Sequence, residues 1–293
     1  MAKKTRQKHK ARKHRGLKRW KQLSFMGKVW RVCWVTLLSL FGFSIFQVLV
    51  CAVINPPLTP LMVQRFFEQM SDSERPVVFQ RDYVSIDDIS PNLINAVAIA
   101  EDGGLYMYHH GFAVQRMKKA YTNSVTKRTR AGGSTISQQT AKNCFLPHTH
   151  RMWRKAIEAY YTILIEKIWG KKRIMECYLN IIEFGNGIYG CEAASQHYFH
   201  HSASKLTRRE AALLAACLPS PLRSNPARPS RYLSRRASTL QHRMGFYGTA
   251  ATLQDGKIVM TEGKNPKYKK MVEEENVFDF TVWMLKQKMG IKE

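Results

Sequence analysis

A run of 22 residues without a single charge, CWVTLLSLFGFSIFQVLVCAVI at positions 33–54, constrains this chain more than any other feature. Gln47 is its only strongly polar side chain. About 20 apolar residues in a helix cross the hydrocarbon layer of a bilayer, so the run predicts a transmembrane helix over residues 32–55. Trp30 and Trp34 fall where an interfacial belt belongs, and Pro56-Pro57 closes the far end. Residues 1–31 carry 13 Lys and Arg and no acid, half of the formal net charge of +26. Cationic flanks stay in the cytoplasm, which puts a basic tail (1–31) inside and everything after the span outside. A cleaved signal peptide would have a shorter apolar region and an A-x-A-like site, neither of which is found. A nucleic-acid-binding arm has no need to abut a bilayer-length run, so nucleic acid is not an expected partner. The pattern is that of a single-pass anchored enzyme or receptor.

The chain has 293 residues, 44% hydrophobic and 11% aromatic, enough for an anchor plus one domain of about 200 residues with a sizeable core. Its six cysteines form no disulfide framework. Cys33 and Cys51 lie in the span, and Cys144, Cys177, Cys191 and Cys217 fall in apolar, helix-like contexts as small buried fillers. His197, His200 and His201 sit beside Tyr198 and Phe199, a setting of packing or surface more than of metal ligation, and no metal ligand is assigned.

The exterior part reads as mainly α. Ser90-Pro91 caps and opens a helix through Ala100, and Gly103-Gly104 stop the chain after Glu101-Asp102. Residues 151–169 and 171–182 predict two more helices. Thr207-Arg208-Arg209-Glu210 is a capping box for a fourth, ended by Pro219. The basic stretch 118–130 has few large apolar residues and reads as a mobile flap. No run of alternating strands is convincing.

Three stretches carry chemistry. In Glu101-Asp102-Gly103-Gly104, two carboxylates face the negative end of a helix dipole, which favours the protonated form and suits a general base. Two solvated acids before a turn fit the same residues. In GGSTISQQ (132–139), followed by Lys142-Asn143, glycines admit close approach. Ser134 or Thr135 caps a new helix whose free N–H groups make an anion site. An ordinary capped helix fits as well, and the spacing is not that of a P-loop. In the helix after Trp153, Glu158 interrupts the apolar arc of Ile157, Tyr161, Ile165, Ile168 and Trp169, whereas Glu166 reads as an ordinary surface acid. A carboxylate among apolar neighbours must be paired or protonated, and Arg154 at i−4 is the available partner. Burial would raise its pKa and the guanidinium would lower it. A purely structural ion pair fits the pattern too.

AIAEDGGLYMYHHGF, RAGGSTISQQTAKNCF, WRKAIEAYYTILIEK, RIMECYLNIIEFGNGIYGCEAASQHYF and LTRREAALLAACLPSPLRSNP follow one another at a spacing that resembles the peptidoglycan glycosyltransferases. These are the monofunctional biosynthetic transglycosylases and the glycosyltransferase modules of bifunctional penicillin-binding proteins. The resemblance implies a lysozyme-like, mainly α glycosyltransferase domain over residues 56–230, behind the N-terminal single-pass transmembrane helix, with residues 231–293 an extension of unknown role. It implies an inner-membrane enzyme that polymerises lipid II on the outer face, with the growing glycan strand and other cell-wall synthesis proteins as partners. By family role Glu101 and Glu158 are catalytic, Glu101 as the base. Asp102, Lys119, Ser134, Thr135, Gln138, Gln139, Lys142, Asn143 and Arg154 match substrate-binding positions. The resemblance leaves open a divalent cation, Mg or Mn, at the diphosphate and implies no other cofactor.

The sequence departs from the family pattern near the base. One extra residue leaves either Leu105 or Tyr106 in a phenylalanine place before His109 and Gly111. Gly104 replaces a frequent arginine and Ala113 a frequent aspartate, which thins the polar support around Glu101. Ser124-x-x-Lys127 and Ser202-x-x-Lys205 fall inside the glycosyltransferase region with no KTG downstream, so no transpeptidase is expected. Two rival readings remain: a lysozyme-like enzyme that cleaves glycan, and a non-catalytic anchored glycan binder. The GGSTISQQ stretch opposes the first and the two glutamates oppose the second.

Overall fold

In a computed structural model that describes residues 24–72, 76–126, 132–147, 152–246 and 250–262, the chain divides into two units after Cys51. Helix α1 (Phe25–Val53) contains the apolar run and is long and apolar enough to cross a membrane. It starts eight residues before the run, because the Ser24 hydroxyl accepts the Gly27 N–H at 3.2 Å and caps it. Large apolar side chains such as Leu37, Leu38 and Phe43 stand exposed along it, as a lipid-facing surface requires. The basic tail before residue 24 lies outside the described residues.

The second unit is mainly α, as the sequence implies. Its helices are α2 (Pro60–Met70), α3 (Pro91–Asp102), α4 (Val114–Thr126), α5 (Ile136–Phe145), α6 (Met152–Ile168), α7 (Gly170–Ile181), α8 (Cys191–Phe199), α9 (Arg208–Cys217) and α10 (Arg231–Phe246). Two small sheets join them. β1 (Gln80–Arg81) runs parallel to β3 (Ile188–Tyr189), which pairs antiparallel with β2 (Glu183–Gly185). β4 (Ala251–Gln254) and β5 (Lys257–Met260) form a hairpin.

Helix α3 is the axis of this unit. Leu93, Ile94, Ala96, Val97, Ala98 and Ile99 are all buried, so it must be covered on every side. α9 and α10 pack along it, and α5 and the hairpin close the rest. Each fully buried Leu or Ile side chain contributes about 1.5–3 kcal/mol relative to exposure, so the tail end of the chain is bound to the core by α3 itself. Ser90 caps the helix by accepting the Asn92 N–H at 3.3 Å and anchors it by donating to Leu206 O at 2.9 Å. At the other end Gly103 takes a left-handed φ of 64°, and the N–H groups of Gly103 and Gly104 return to Ile99 and Ala98. Glu101 and Asp102 therefore form the last helical turn instead of following it.

Three expectations need correction. The stretch 118–130 is helical through Thr126, within α4, and residues 127–130 lie outside the described residues. Its apolar positions, though few, recur on one face, and the unit needs no more than that there. The domain does not stop at residue 230: α10 follows, and Asp255-Gly256, with φ of 47° and 73°, makes a two-residue turn that folds β4 onto β5. This hairpin is clamped by the buried Asn95 of α3, whose amide oxygen accepts from Ala250 and Ala251 N–H at 2.7 and 2.9 Å. The compact unit therefore runs past residue 230, to at least residue 262. Thirdly, Glu166 is not a surface acid. The Gly111 loop and α5 cover it, Ser137 Oγ donates to it, and Lys171 Nζ lies 2.7 Å from its Oε1. The apolar stretch at 277–285 lies outside the described residues. Cys144, Cys177, Cys191 and Cys217 are buried, as expected of small fillers.

Gly187 holds the three-stranded sheet together. Its φ is 69°, its carbonyl accepts the Gln80 N–H at 2.8 Å, and a Cβ there would run into the Val78 carbonyl. Gly187→Ala should cost about 2 kcal/mol or more, seen as a lower Tm of the full chain in detergent; an unchanged Tm would contradict this packing.

Candidate active site

The site begins with a carboxylate that is not exposed at all. Asp102 has 0% exposure, and its partners come from three segments. The Ile136 N–H, first in α5, reaches Oδ1 and Oδ2 at 3.1 and 3.4 Å. His109 Nε2 lies 3.0 Å from Oδ2, and Arg116 Nη1 of α4 lies 3.5 Å from Oδ1. Gly111 N–H donates to His109 Nδ1 at 3.1 Å, which makes Nδ1 the acceptor and puts the imidazole proton on Nε2, facing Asp102. The N-terminus of α5 is thus an anion site, as its sequence predicts, but the anion it holds is the protein's own. Asp102, matched to a substrate-binding position by sequence, is instead fully buried, with its carboxylate committed to these three partners.

The rest of the α5 start is equally committed. Thr135 Oγ1 donates to Gly111 O at 2.7 Å and accepts the Gln138 N–H at 3.2 Å, while Gln138 Oε1 accepts the Thr135 N–H at 3.0 Å. This capping box buries both side chains, so Thr135 and Gln138 shape the loop and do not line the cleft. Ser134 remains accessible, with its Oγ 3.3 Å from Lys155 Nζ.

Glu101, one residue before Asp102, is turned outward toward α5. Gln139 Nε2 donates to Glu101 Oε2, and Gln139 Oε1 accepts from the Tyr178 hydroxyl at 3.4 Å, so the amide is oriented from behind. Arg116 donates to the Glu101 main-chain carbonyl. Burial raises the pKa of Glu101 above the ordinary carboxylate range. The Gln139 hydrogen bond opposes this, the Asp102 charge adds to it, and Arg116 and Arg236 counter it. Arg116 supplies the positive charge that Gly104 removes, and sequence reasoning missed it because nothing local places α4 beside the end of α3.

Glu158 is 2% exposed on α6, as its place in the apolar arc predicts. Arg154 Nη1 approaches Oε2 at 3.3 Å, and Lys155 Nζ bonds Oε1. The second cation is a residue that the i−4 argument overlooked, although i−3 is as close on a helix. Lys142 stands between the two glutamates. Burial lowers its pKa, and the charges of Glu158 and, more weakly, Glu101 raise it.

Gln139, Lys142 and Asn143 share a cavity of about 270 Å³ with Tyr178, Arg65 and Glu183. Asn143 is 5% exposed and its Oδ1 has no hydrogen-bond partner, so it offers an acceptor to whatever fills the cavity. Lys119 lies exposed on α4, one turn beyond Arg116, apart from this cluster. Leu105 and Tyr106 are both buried; the Tyr106 hydroxyl donates to Lys171 O at 2.7 Å, and its ring meets His109 edge-on.

Residues 68–245 match a family model described as Transglycosylase, which also carries the match past residue 230. Proteins named biosynthetic peptidoglycan transglycosylase are similar over most of their length. The one from Caulobacter vibrioides is 45% identical over 219 residues, 75% of this chain and 90% of the relative. That from Xanthomonas campestris pv. campestris (strain B100) is 41% identical over 211 residues, covering 72% and 85%. That from Cronobacter sakazakii is 40% identical over 222 residues, covering 76% and 92%.

The Gln139 hydrogen bond favours the ionised form of Glu101 and opposes the larger effect of burial. Gln139→Ala should therefore raise the Glu101 pKa further and move the acid limb of the pH–activity profile to higher pH. A limb that stays in place or moves down would contradict this arrangement.

Proposed function

The chain belongs to the transglycosylase family and is a peptidoglycan glycosyltransferase that polymerises glycan; from that premise we propose which groups do the work. The substrate is lipid II, a disaccharide-pentapeptide on undecaprenyl diphosphate. Glu101 takes the proton of the acceptor GlcNAc 4-hydroxyl. The freed oxygen attacks the anomeric carbon of the donor MurNAc from the face opposite the diphosphate, the C–O bond to the lipid diphosphate breaks, and a β-1,4 link forms with inversion.

The observation that carries this reading is the pairing of one carboxylate pushed toward protonation, Glu101, with a second carboxylate, Glu158, wrapped in cations. The first is a stronger base than an exposed carboxylate, because burial raises its pKa. The second holds Arg154 and Lys155 in place, and together with Lys142 and the Ser134 hydroxyl they receive the charge that develops on the leaving diphosphate. Asn143 Oδ1 accepts from a hydroxyl or amide of the donor. Asp102, Thr135 and Gln138 serve by positioning.

A divalent cation does not fit this donor set. Both Glu158 oxygens are occupied by Arg154 and Lys155, and among the described residues no three carboxylate, imidazole or thiol groups converge. The positive charge that the diphosphate needs is supplied by side chains. Helix α1 anchors the enzyme with its N-terminus in the cytoplasm, so that the catalytic unit meets the lipid-linked substrate on the outer face of the inner membrane.

The test is polymerisation of labelled lipid II by the full-length protein in detergent. Glu101→Gln should lower the rate by about 10²- to 10⁴-fold. A fold whose Glu101 pKa is raised gains from the protonated form, a gain present below the unfolded carboxylate value and lost as pH rises through the folded value. The neutral Gln should therefore leave the Tm at pH 7 unchanged or raised. A variant with full activity, or one inactive only because it unfolds, would overturn the assignment. Cleavage of preformed glycan by the wild type would point to a lytic enzyme.

A further inference from the structure

Of the four cysteines buried in the catalytic unit, two meet. Cys144 Sγ, in the last turn of α5, lies 3.5 Å from Cys177 Sγ on α7, across two helices that pack against each other. The other two are locked in the thiol form. Cys217 Sγ donates to Leu214 O at 3.0 Å, and burial pushes its pKa up to about 12. Burial also pushes the Cys191 thiol up. Neither readily supplies the thiolate on which sulfur chemistry depends. Cys144 keeps some surface, with 8% exposure, while Cys177 has none.

A fixed guanidinium serves this pair. Arg81 of β1 donates to the main-chain oxygens of Pro56 and Pro57, and its Nε is buried without a hydrogen-bond partner. Burial lowers the pKa of Arg81, and negative charge on Cys177, Tyr83 or Cys144 opposes that lowering. A positive charge within reach of both sulfurs favours the thiolate. The pair also sits directly behind the cleft. Cys144 follows Lys142 and Asn143 on α5, and Cys177 precedes Tyr178 on α7, whose hydroxyl reaches Gln139. These four neighbours line the cavity between the helices, so a bond between the sulfurs would tie its two walls together.

We propose that Cys144 and Cys177 are a disulfide-forming pair, closed by exchange with a disulfide-bearing oxidant to staple α5 to α7 behind the cleft. The inference rests on the outer-face placement of the catalytic unit, since disulfides form and persist outside the reducing cytoplasm. Cys144, the more exposed sulfur, attacks the oxidant disulfide as a thiolate, and one oxidant sulfur leaves and takes up a proton. Cys177 then attacks Cys144 Sγ in the mixed disulfide and expels the second oxidant sulfur. Two protein thiols become one disulfide, the oxidant disulfide becomes two thiols, and two electrons and two protons pass to it. A disulfide brings its sulfurs to about 2.05 Å, an approach that side-chain rotation supplies between helices already in contact. The cysteines are 33 positions apart, so the bond removes a large share of the freedom of the unfolded chain.

The test takes full-length protein in detergent, reduces it, treats it with oxidised glutathione, then denatures it and alkylates it with N-ethylmaleimide. The reduced chain takes up six maleimides, one for each cysteine. The oxidised chain should take up two fewer, and its digest should contain a peptide that joins Cys144 to Cys177. The oxidised form should melt about 5 °C or more above the reduced form, and Cys144→Ala and Cys177→Ala should each abolish that difference. Six maleimides after oxidation, a link between other cysteines, or a Tm that oxidation leaves unchanged or lowers would overturn the proposal. The variants also read the order of attack. Cys177→Ala should retain glutathione on Cys144, whereas Cys144→Ala should carry none on Cys177; the reverse would contradict the roles given to the two sulfurs. Acid trapping and alkylation of the protein in cells tests the premise separately. A link that forms with glutathione but is absent in the cell would contradict the outer-face placement and leave the pairing standing.

Discussion

A single buried carboxylate, that of Asp102, joins the pieces on which the site depends. It ends α3, receives the first N–H of α5, meets the imidazole of His109 and lies within reach of Arg116 from α4. A charge at 0% exposure is tolerable only because each of these partners is present. Removing any one would leave a charge or a donor unmatched in a dry interior. The end of α3 is therefore fixed relative to α5, and with it the neighbouring Glu101 relative to Gln139. The helix dipole of α5, which a glycine-rich start so often offers to a bound phosphate, is used here to hold the frame.

With the frame set, the cleft is organised by charge. On one side of Glu101, Lys142 lies among Glu158, Arg154 and Lys155, an ensemble with more positive than negative charge even before substrate arrives. On the other side, α10 contributes further arginines. Burial pushes Glu101 toward protonation, and the Gln139 hydrogen bond and the nearby arginines oppose that push. A carboxylate raised above its ordinary range is a stronger base than an exposed one, which suits it to take the acceptor's proton.

Much of this was legible in the residues. The apolar run, the Ser90 cap, the Gly103 stop and the Thr207 capping box are local signals, and each formed the element it announced. Glu158 was identifiable because it breaks an apolar arc, a pattern that needs nothing beyond helical periodicity. What failed was whatever depended on distant segments. Asp102 looked like a substrate ligand because sequence shows a carboxylate pair, not which member turns inward to meet Ile136. Thr135 and Gln138 looked like anion contacts because a capping box and an open helix start share the same letters. Glu166 looked solvated because the loop that covers it, at Gly111, lies 55 residues earlier. Arg116 and the arginines of α10 could not be placed at the base without the fold. The Asp255-Gly256 turn, by contrast, was a local signal in plain view between two short alternating runs.

The central claim is that the fold itself sets the protonation of Glu101. The most direct test is the titration of its side-chain carboxyl carbon by ¹³C NMR in the full-length protein, in a membrane mimetic and without substrate. The account predicts a midpoint above the ordinary glutamate range, coincident with the acid limb of polymerisation activity. A midpoint at or below the ordinary value would mean that burial does not govern this carboxylate, and the assignment of Glu101 as a poised base would fall.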